Sequence, residues 1–139
     1  MGNYRRVDGS WAFPSTDFRA MQAARGEFVG LLRGAAEPEA DIEAAALAFG
    51  ELVANAMRHG PPGEVHVTLR WKSGRPTLSV SDSGSGFTVD PCLPDIGQVG
   101  GRGLFIVNAL AGPVRIEKRT GGGCSVSVDL PVTAARETR

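Results

Sequence analysis

Apolar and polar residues recur with different periods along the chain, and each change of period predicts a new element. Residues 10–15 (SWAFPS) predict a short opening strand. From about Asp17 the apolar residues recur every three or four positions, which is the spacing of a helix with one buried face. Asp17 is the predicted N-cap of this helix, and Gly34 its predicted end. The predicted buried face consists of Phe18, Met21, Phe28, Leu31 and Leu32.

A second helix is predicted from residues 37–39 (EPE) to residues 60–62 (GPP). Proline is tolerated in a first helical turn, and acidic residues suit the positive end of the helix dipole. The Gly-Pro-Pro sequence then ends the helix. Its predicted buried face consists of Ile42, Ala45, Ala46, Phe49, Val53, Ala56 and Met57.

The remainder of the chain predicts four strands, a long loop and one short helix. Strict alternation of apolar and polar residues predicts a hairpin whose turn lies around Gly74. The order of elements predicts an α+β fold: a two-layer sandwich with helices on one face of a mostly antiparallel sheet, in a single domain over residues 1–139. The chain after Pro131 is polar and is predicted to fray. The predicted strands are 64–71, 76–83, 113–118 and 124–131, the loop is 86–101, and the short helix is 103–111.

Composition excludes several classes of protein. The 139 residues are 42% hydrophobic and 22% charged, as in an ordinary globular domain, and 15 acidic residues balance 15 basic ones. The net charge is therefore zero and gives no indication of binding to nucleic acid or to an anionic membrane. The start of the chain has no apolar signal-peptide segment, and no apolar run is long enough to span a membrane. Cys92 and Cys124 lack metal-ligand spacing, so we expect free thiols in a reducing cytoplasm.

The stretch ELVANAMRHG places Glu51, Asn55 and His59 on one stripe of the second helix. Asparagine is a mediocre helix former, and this stripe is polar just before the helix ends. One interpretation is a solvated face with an incidental asparagine. The other is a nucleotide site, because the Asn55 amide oxygen is a suitable ligand for Mg²⁺ and Glu51 could accept a proton one turn away.

Two glycine-rich motifs follow. SDSGSGF ends a strand with Asp82, Gly84 and Gly86, and taken alone it predicts a tight turn. The long irregular loop after it is of the kind that is usually functional or disordered. GQVGGRGLFIV then places Arg102 among glycines just before a helix, which fits either a phosphate site or a flexible hinge. The chain contains neither GxxxxGK[ST] nor GxGxxG, so any phosphate site has a different architecture.

Together these motifs resemble those of the Bergerat-fold ATPases, the superfamily of DNA gyrase, heat-shock chaperones, histidine kinases and mismatch-repair proteins. ELVANAMRHG resembles the N-box, DSGSGF the adenine-binding box, and GGRGLFIVNAL the box after the ATP lid. Within the superfamily the chain looks most like the small bacterial anti-sigma-factor serine kinases. The resemblance runs from SWAFPS to VDLP. The match is specific because all three boxes are present and occur in the order found in the family.

The resemblance implies a role for each matching residue. Asn55 would hold Mg²⁺, and Glu51 would activate the acceptor serine. Asp82 would accept a hydrogen bond from the adenine amino group. Residues 88–99 would form the ATP lid. Other matching positions would bind the nucleotide, through close backbone approach or phosphate contact: Gly84, Gly86, Gly101, Arg102 and Gly103.

One position departs from the family pattern. Near the start of the last strand, relatives carry a threonine that helps to bind adenine, whereas this chain has Cys124. A thiol is a weak hydrogen-bonding group. We therefore expect Cys124 to weaken the contact with adenine.

The resemblance implies three alternative functions. The first is a cytoplasmic, homodimeric serine/threonine protein kinase that uses ATP and Mg²⁺, phosphorylates an anti-sigma-factor antagonist and sequesters a sigma factor. The second is a catalytically silent ATP-binding regulator of the same fold. The third is the catalytic domain of a sensor kinase, which the absence of a preceding phospho-acceptor helix pair disfavours. Retention of Glu51 favours the first over the second.

Overall fold

Five strands and two long helices make up the described part of the chain. The computed structural model describes residues 6–37, 40–59, 63–82, 107–109, 111–118 and 123–135. The strands form one sheet in the order β1-β2-β3-β5-β4, and each adjacent pair is antiparallel. The predicted α+β sandwich with an antiparallel sheet is therefore confirmed. In chain order the elements are β1 (Gly9–Pro14), α1 (Phe18–Ala35), α2 (Ile42–His59), β2 (Glu64–Lys72), β3 (Arg75–Asp82), β4 (Arg115–Lys118) and β5 (Cys124–Asp129).

Helix α1 begins where the sequence predicts and ends one residue later. The Asp17 carboxylate accepts a hydrogen bond from the backbone N–H of Ala20 at 3.0 Å, which satisfies a donor that the first turn leaves unpaired. The helix continues through Gly34 and stops where Ala36 turns to an extended backbone. Phe18 was wrongly placed on the buried face: it is 66% exposed. The buried stripe of α1 consists of Ala24, Phe28, Leu32 and Ala35, and Phe18 lies off it.

Helix α2 begins later than the sequence predicts. Asp41 accepts a hydrogen bond from the backbone N–H of Ala44 at 2.9 Å, so Asp41 caps a helix that starts at Ile42. The prediction of a start at residues 37–39 is therefore wrong, because a cap four residues later was overlooked. Glu37 instead donates its backbone N–H to the Thr133 carbonyl, outside any helix. The buried residues of α2 are Ala44, Ala45, Ala48, Phe49, Leu52 and Val53, while Ile42, Ala46, Ala56 and Met57 are half-buried.

The two helices pack on one face of the sheet. Alternate residues of β2 and β3 point into this layer and are fully buried, among them Val67, Leu69 and Leu78. Phe28 of α1 joins the two helices, since its ring lies 4.9 Å from that of Phe49, centroid to centroid. Among the described residues, no helix is long and apolar enough to cross a membrane.

Two local features stabilise the sheet: the turn between β2 and β3, and a group of hydrogen bonds to Asp129 of β5. Ser73 and Gly74 both have positive φ angles, 51° and 79°, which suits the tight turn predicted between β2 and β3. Arg115 of β4 donates to both oxygens of Asp129 in β5, at 3.1 and 3.3 Å, and the Thr77 hydroxyl donates to Asp129 at 2.8 Å. These hydrogen bonds, from Arg115 first and Thr77 second, hold the pKa of Asp129 below its ordinary value.

The segment after Pro131 does not fray as the sequence predicts, at least as far as residue 135. Val132, Ala134 and Ala135 are buried. The Ala134 N–H donates to the Gly74 carbonyl and the Ala135 N–H to the Ala35 carbonyl. Small apolar side chains therefore let this segment lie against the β2–β3 turn and the end of α1. The polar residues that suggested fraying, 136–139, lie outside the described residues.

The glycines of α1 predict a simple gain in stability. A Cβ atom added at Gly30 would meet nothing within 4 Å. We expect Gly30→Ala to raise the free energy of unfolding by about 0.5–1 kcal/mol, because alanine restricts the unfolded chain and favours the helix. The control is Gly74→Ala, where space is also open but φ is +79°, so this change should destabilise the fold by about 1 kcal/mol. Urea unfolding measures both, and destabilisation by Gly30→Ala would contradict the assignment of an open helical site.

Candidate functional site

Glu51 and Asn55 lie side by side on α2. The helix is continuous from Ile42 to His59, so the predicted four-residue spacing places both on one stripe. Both are half-buried, beside the buried residues Leu52 and Val53. The two side chains are therefore neither fully exposed to solvent nor part of the core. They lie at the margin of the helix–sheet layer. The side chain of His59 lies outside the described residues.

The second part of the site is a buried carboxylate at the end of β3. Asp82 is 7% exposed and, among the described residues, is the one buried charged side chain. Its Oδ1 accepts a hydrogen bond from the backbone N–H of Cys124, at the start of β5, at 3.3 Å. Burial of a carboxylate is costly unless hydrogen bonds compensate, and this bond provides one. The contact places positions 82 and 124 next to each other, at the ends of β3 and β5.

The sequence did not predict that the Cys124 backbone would make this contact. The expectation concerned the side chain at position 124, whereas the group that reaches Asp82 is the main-chain N–H. The signal was present in the strand pattern, because antiparallel pairing of Ser81 with Ser125 brings the next residues outward, 82 and 124, opposite each other. A prediction of the β3–β5 register would have placed the two residues next to each other, but it would not have given the hydrogen bond itself.

The side chain of Cys124 corrects another expectation. Cys124 is 6% exposed and disulfide-bonded, so the prediction of a free thiol at this position is wrong. The prediction rested on the absence of a spacing motif, but one disulfide has no spacing signature and depends on how the chain folds. A disulfide sulfur has no S–H to donate, so the only N–H or S–H donor of residue 124 is its backbone amide. Cys92 lies outside the described residues.

Chain connectivity brings the two parts of the site to the same end of the sheet. Helix α2 ends at His59 and β2 begins at Glu64, so the link spans at most about 18 Å even when extended. The first residues of β2 pair with the last residues of β3, with Val65 opposite Asp82. Asn55 lies about 6 Å along the helix axis before His59, at 1.5 Å per residue. The end of α2 that carries Asn55 therefore lies toward the end of the sheet that carries Asp82.

Several predicted site residues lie outside the described residues. They include the predicted ATP lid, residues 88–99. The predicted short helix is described only at 107–109, where the chain is helical and Val107 is buried in the core. The Ala111 N–H donates to the Val107 carbonyl at 2.8 Å, which continues that helical turn. The remaining predicted site residues outside the description are Gly84, Gly86, Gly101, Arg102 and Gly103.

The described residues fit an adenine nucleotide with Mg²⁺. A buried carboxylate at a strand end is a suitable acceptor for an exocyclic amino group. Within the described ranges, no group of three or more His, Cys, Asp or Glu residues could hold a metal by itself. An ion bound through the Asn55 amide oxygen would therefore take its other ligands from phosphates and water, as Mg²⁺ commonly does.

Comparison with known proteins identifies the family. Residues 14–129 match the family model of the histidine kinase-like ATPase domain. A solved structure of the RsbU and RsbW domains of Rv1364c from Mycobacterium tuberculosis is similar, with a TM-score of 0.65 and 23% identity over 94% of this chain. The match covers 33% of that chain, so this chain spans about one third of its length.

A second solved structure supports the same fold. The histidine kinase AdeS of Acinetobacter baumannii has a TM-score of 0.51 and 20% identity, covering 91% of this chain and 68% of that one. No curated protein matches the chain. The family model covers residues of both parts of the site, α2 with Glu51 and Asn55 and the β3–β5 contact of Asp82 with Cys124. The chain therefore belongs to the histidine kinase-like ATPase domain family.

Proposed function

We propose that this protein is an ATP-dependent serine/threonine protein kinase of the anti-sigma-factor type, acting in the cytoplasm as a homodimer. It would regulate transcription by partner switching, binding a sigma factor or phosphorylating an anti-sigma-factor antagonist. The observation that carries the proposal is the pair of Glu51 and Asn55 on α2, at the margin of the layer whose sheet end holds the buried Asp82. A domain that only bound nucleotide would need Asn55 and Asp82 but not the carboxylate of Glu51.

Each of the three residues has one task in this proposal. Asp82 orients the base by accepting a hydrogen bond from the adenine amino group, and the Cys124 N–H at 3.3 Å holds the carboxylate in place. Asn55 supplies an oxygen ligand for Mg²⁺. Bound ATP with Mg²⁺ supplies an electrophilic γ-phosphorus and a good leaving group.

Glu51 serves as the base toward the acceptor serine of the antagonist. Its carboxylate takes the hydroxyl proton as the serine oxygen forms its bond to the γ-phosphorus. The bond from that phosphorus to the bridging oxygen breaks, and ADP leaves with the electron pair. The helix fixes the separation of Glu51 from Asn55 at one turn, so the base and the metal ligand are held on one rigid element.

A catalytically silent regulator is the second candidate, and Cys124 is the observation that favours it. Relatives of the proposed type carry a threonine where this chain has a buried, disulfide-bonded cysteine. The loss of a hydroxyl beside the adenine pocket would lower nucleotide affinity, which suits a regulator. A catalytically silent regulator, however, would give Glu51 no role. The kinase therefore explains one more residue than the regulator does.

Phosphoryl transfer distinguishes the two candidates. The protein is incubated with γ-labelled ATP, Mg²⁺ and candidate antagonist proteins, and label on the antagonist is followed over time. We expect transfer to a serine or threonine of one antagonist and none when Mg²⁺ is chelated. ATP binding without transfer to any candidate, including those encoded beside this chain, would replace the kinase with the regulator.

A further inference from the structure

Cys124, at the start of β5, is disulfide-bonded and lies beside the carboxylate of Asp82. The pairing of Ser81 with Ser125 places residues 82 and 124 opposite each other. Opposite residues in antiparallel strands send their side chains to the same face of the sheet, with Cβ atoms about 4.5–5.5 Å apart. Both side chains are buried, with Asp82 7% and Cys124 6% exposed. The disulfide sulfur of Cys124 therefore shares one face of the sheet with the Asp82 carboxylate.

The disulfide brings a second residue to the same place. Bridged cysteines have Cβ atoms about 3.5–4.5 Å apart, so the residue bonded to Cys124 stands as close to it as Asp82 does. The neighbour of Asp82 on its other side is Val65 of β2, which is 1% exposed. An amino group must come within about 3 Å of a carboxylate oxygen to donate a hydrogen bond to it. With the disulfide in place, the Asp82 carboxylate has little open surface for a nucleobase.

A disulfide is unusual in the compartment proposed for this protein. Disulfides are rare in the cytoplasm, where those that form are usually transient and act in catalysis or in redox sensing. Cys92 is the one other cysteine of the sequence, so it is the one residue available to bond Cys124 within the chain. A catalytic disulfide must be open to its substrate, whereas Cys124 is buried. Redox sensing is therefore the role that fits both the compartment and the burial.

We propose that the Cys124 disulfide is a redox switch for nucleotide binding: the oxidised chain excludes adenine from Asp82, and the reduced chain admits it. Reduction removes the covalent restraint beside Asp82 and leaves a thiol, which takes less space than a bridged pair of sulfurs. The inference rests on the proposed function, because it takes Asp82 as the acceptor for adenine and the cytoplasm as the compartment. It goes beyond that function by adding a signal, the thiol–disulfide state of the cell.

The switching step is thiol–disulfide exchange with a dithiol reductant. A thiolate of the dithiol attacks one sulfur of the disulfide, the S–S bond breaks, and the other cysteine leaves as a thiolate that takes up a proton. The second thiol of the reductant attacks the mixed disulfide and releases the remaining cysteine in the same way. Two electrons and two protons pass to the chain, and the dithiol becomes a cyclic disulfide. A disulfide oxidant such as oxidised glutathione reverses the step, because it accepts the same electrons and protons and becomes two thiols.

The test measures ATP binding by one protein in two redox states. The native chain is oxidised with oxidised glutathione or reduced with dithiothreitol, and mass spectrometry after thiol alkylation counts the free thiols in each sample. A fluorescent ATP analogue with Mg²⁺ then reports affinity. We expect the reduced chain to bind at least about tenfold more tightly, because it regains a hydrogen bond to a charged acceptor. Equal affinity in the two states, or tighter binding by the oxidised chain, would overturn the proposal.

Two serine variants show whether the disulfide is responsible. Cys124→Ser and Cys92→Ser each remove the bond, and the second keeps the sulfur of Cys124. Both should bind the analogue like the reduced native chain and should not respond to oxidant or reductant. A redox response that persists in either variant contradicts the proposal, and so does an oxidised native chain that is linked only between copies in a non-reducing gel. Thermal unfolding checks that each variant is folded, and either one alone is sufficient for the test.

Carboxyl labelling separates failure of the switch from failure of the proposed function. A water-soluble carbodiimide with an amine labels accessible carboxylates, and peptide mass spectrometry compares Asp82 with Asp129, whose side chain is 54% exposed. We expect reduction to raise the labelling of Asp82 severalfold and to leave that of Asp129 unchanged. If Asp82 becomes accessible but neither redox state binds ATP, the proposed function is wrong while redox control of Asp82 stands. If the labelling of Asp82 does not change on reduction, the switch is wrong whether or not ATP binds.

Discussion

Glu51→Gln is expected to lower the rate of phosphoryl transfer to an antagonist by roughly 10²–10⁴-fold, which is the usual contribution of a positioned base. Glutamine keeps the shape of the side chain and removes the basic carboxylate. Glu51 is half-buried on α2. As the proposed base it would act in the transition state rather than in nucleotide binding. ATP affinity should therefore stay within about twofold of the native value, so that the loss appears in the rate and not in binding.

The control for this prediction is Glu27→Gln, which removes the same charge from an exposed position of α1. It should leave both the transfer rate and the ATP affinity unchanged. Single-turnover measurements at saturating ATP isolate the transfer step from product release. Native transfer by Glu51→Gln would show that Glu51 is not the base, while loss of ATP binding in that variant would place Glu51 in nucleotide binding.

Asp82→Asn is expected to weaken ATP binding roughly 10- to 100-fold, because a hydrogen bond to a charged group contributes about 1.5–3 kcal/mol. The amide oxygen can still accept from the Cys124 N–H, so the contact between β3 and β5 should survive. If the amide instead turns its NH₂ toward the base, it presents a donor to the adenine amino donor. In either orientation the charged acceptor is lost.

Binding of a fluorescent ATP analogue measures the effect of Asp82→Asn, and thermal unfolding checks that the fold is retained. The matched control is Asp129→Asn, which removes an aspartate of β5 that is more than half exposed and paired with Arg115. This control should leave nucleotide affinity unchanged. If Asp82→Asn binds the analogue as tightly as the native chain, the carboxylate does not contact adenine.

Strand positions were predictable from sequence because their signals are local. Strict alternation over β2 and β3 fixed both strands, and the need for positive φ at Gly74 fixed the turn between them. The start of α2 was not predictable in the same way. Both residues 37–39 and Asp41 offer acceptable starting signals. In the structure Asp41 caps the helix, and the Glu37 N–H donates to the carbonyl of Thr133, which is distant in sequence.

The candidate site likewise combines local features, which the sequence predicted, with tertiary contacts, which it did not. Helical spacing alone places Glu51 beside Asn55, and the resemblance to a known family assigned Asp82 and residue 124 separately to adenine binding. The sequence could not supply the contact itself, because it joins residues 42 positions apart and uses a main-chain N–H. The disulfide at Cys124 could not be predicted for the same reason, since it depends on a tertiary neighbour.

Calorimetric titration of the native chain with ATP and with GTP, each with Mg²⁺, tests the recognition of adenine by this site. We propose that the buried carboxylate of Asp82 recognises the amino group of adenine at the end of the sheet that α2 approaches. We expect one ATP per chain with an affinity near micromolar, about −8 kcal/mol, and binding of GTP at least about tenfold weaker. Equal binding of the two nucleotides, or no heat from ATP, would contradict it.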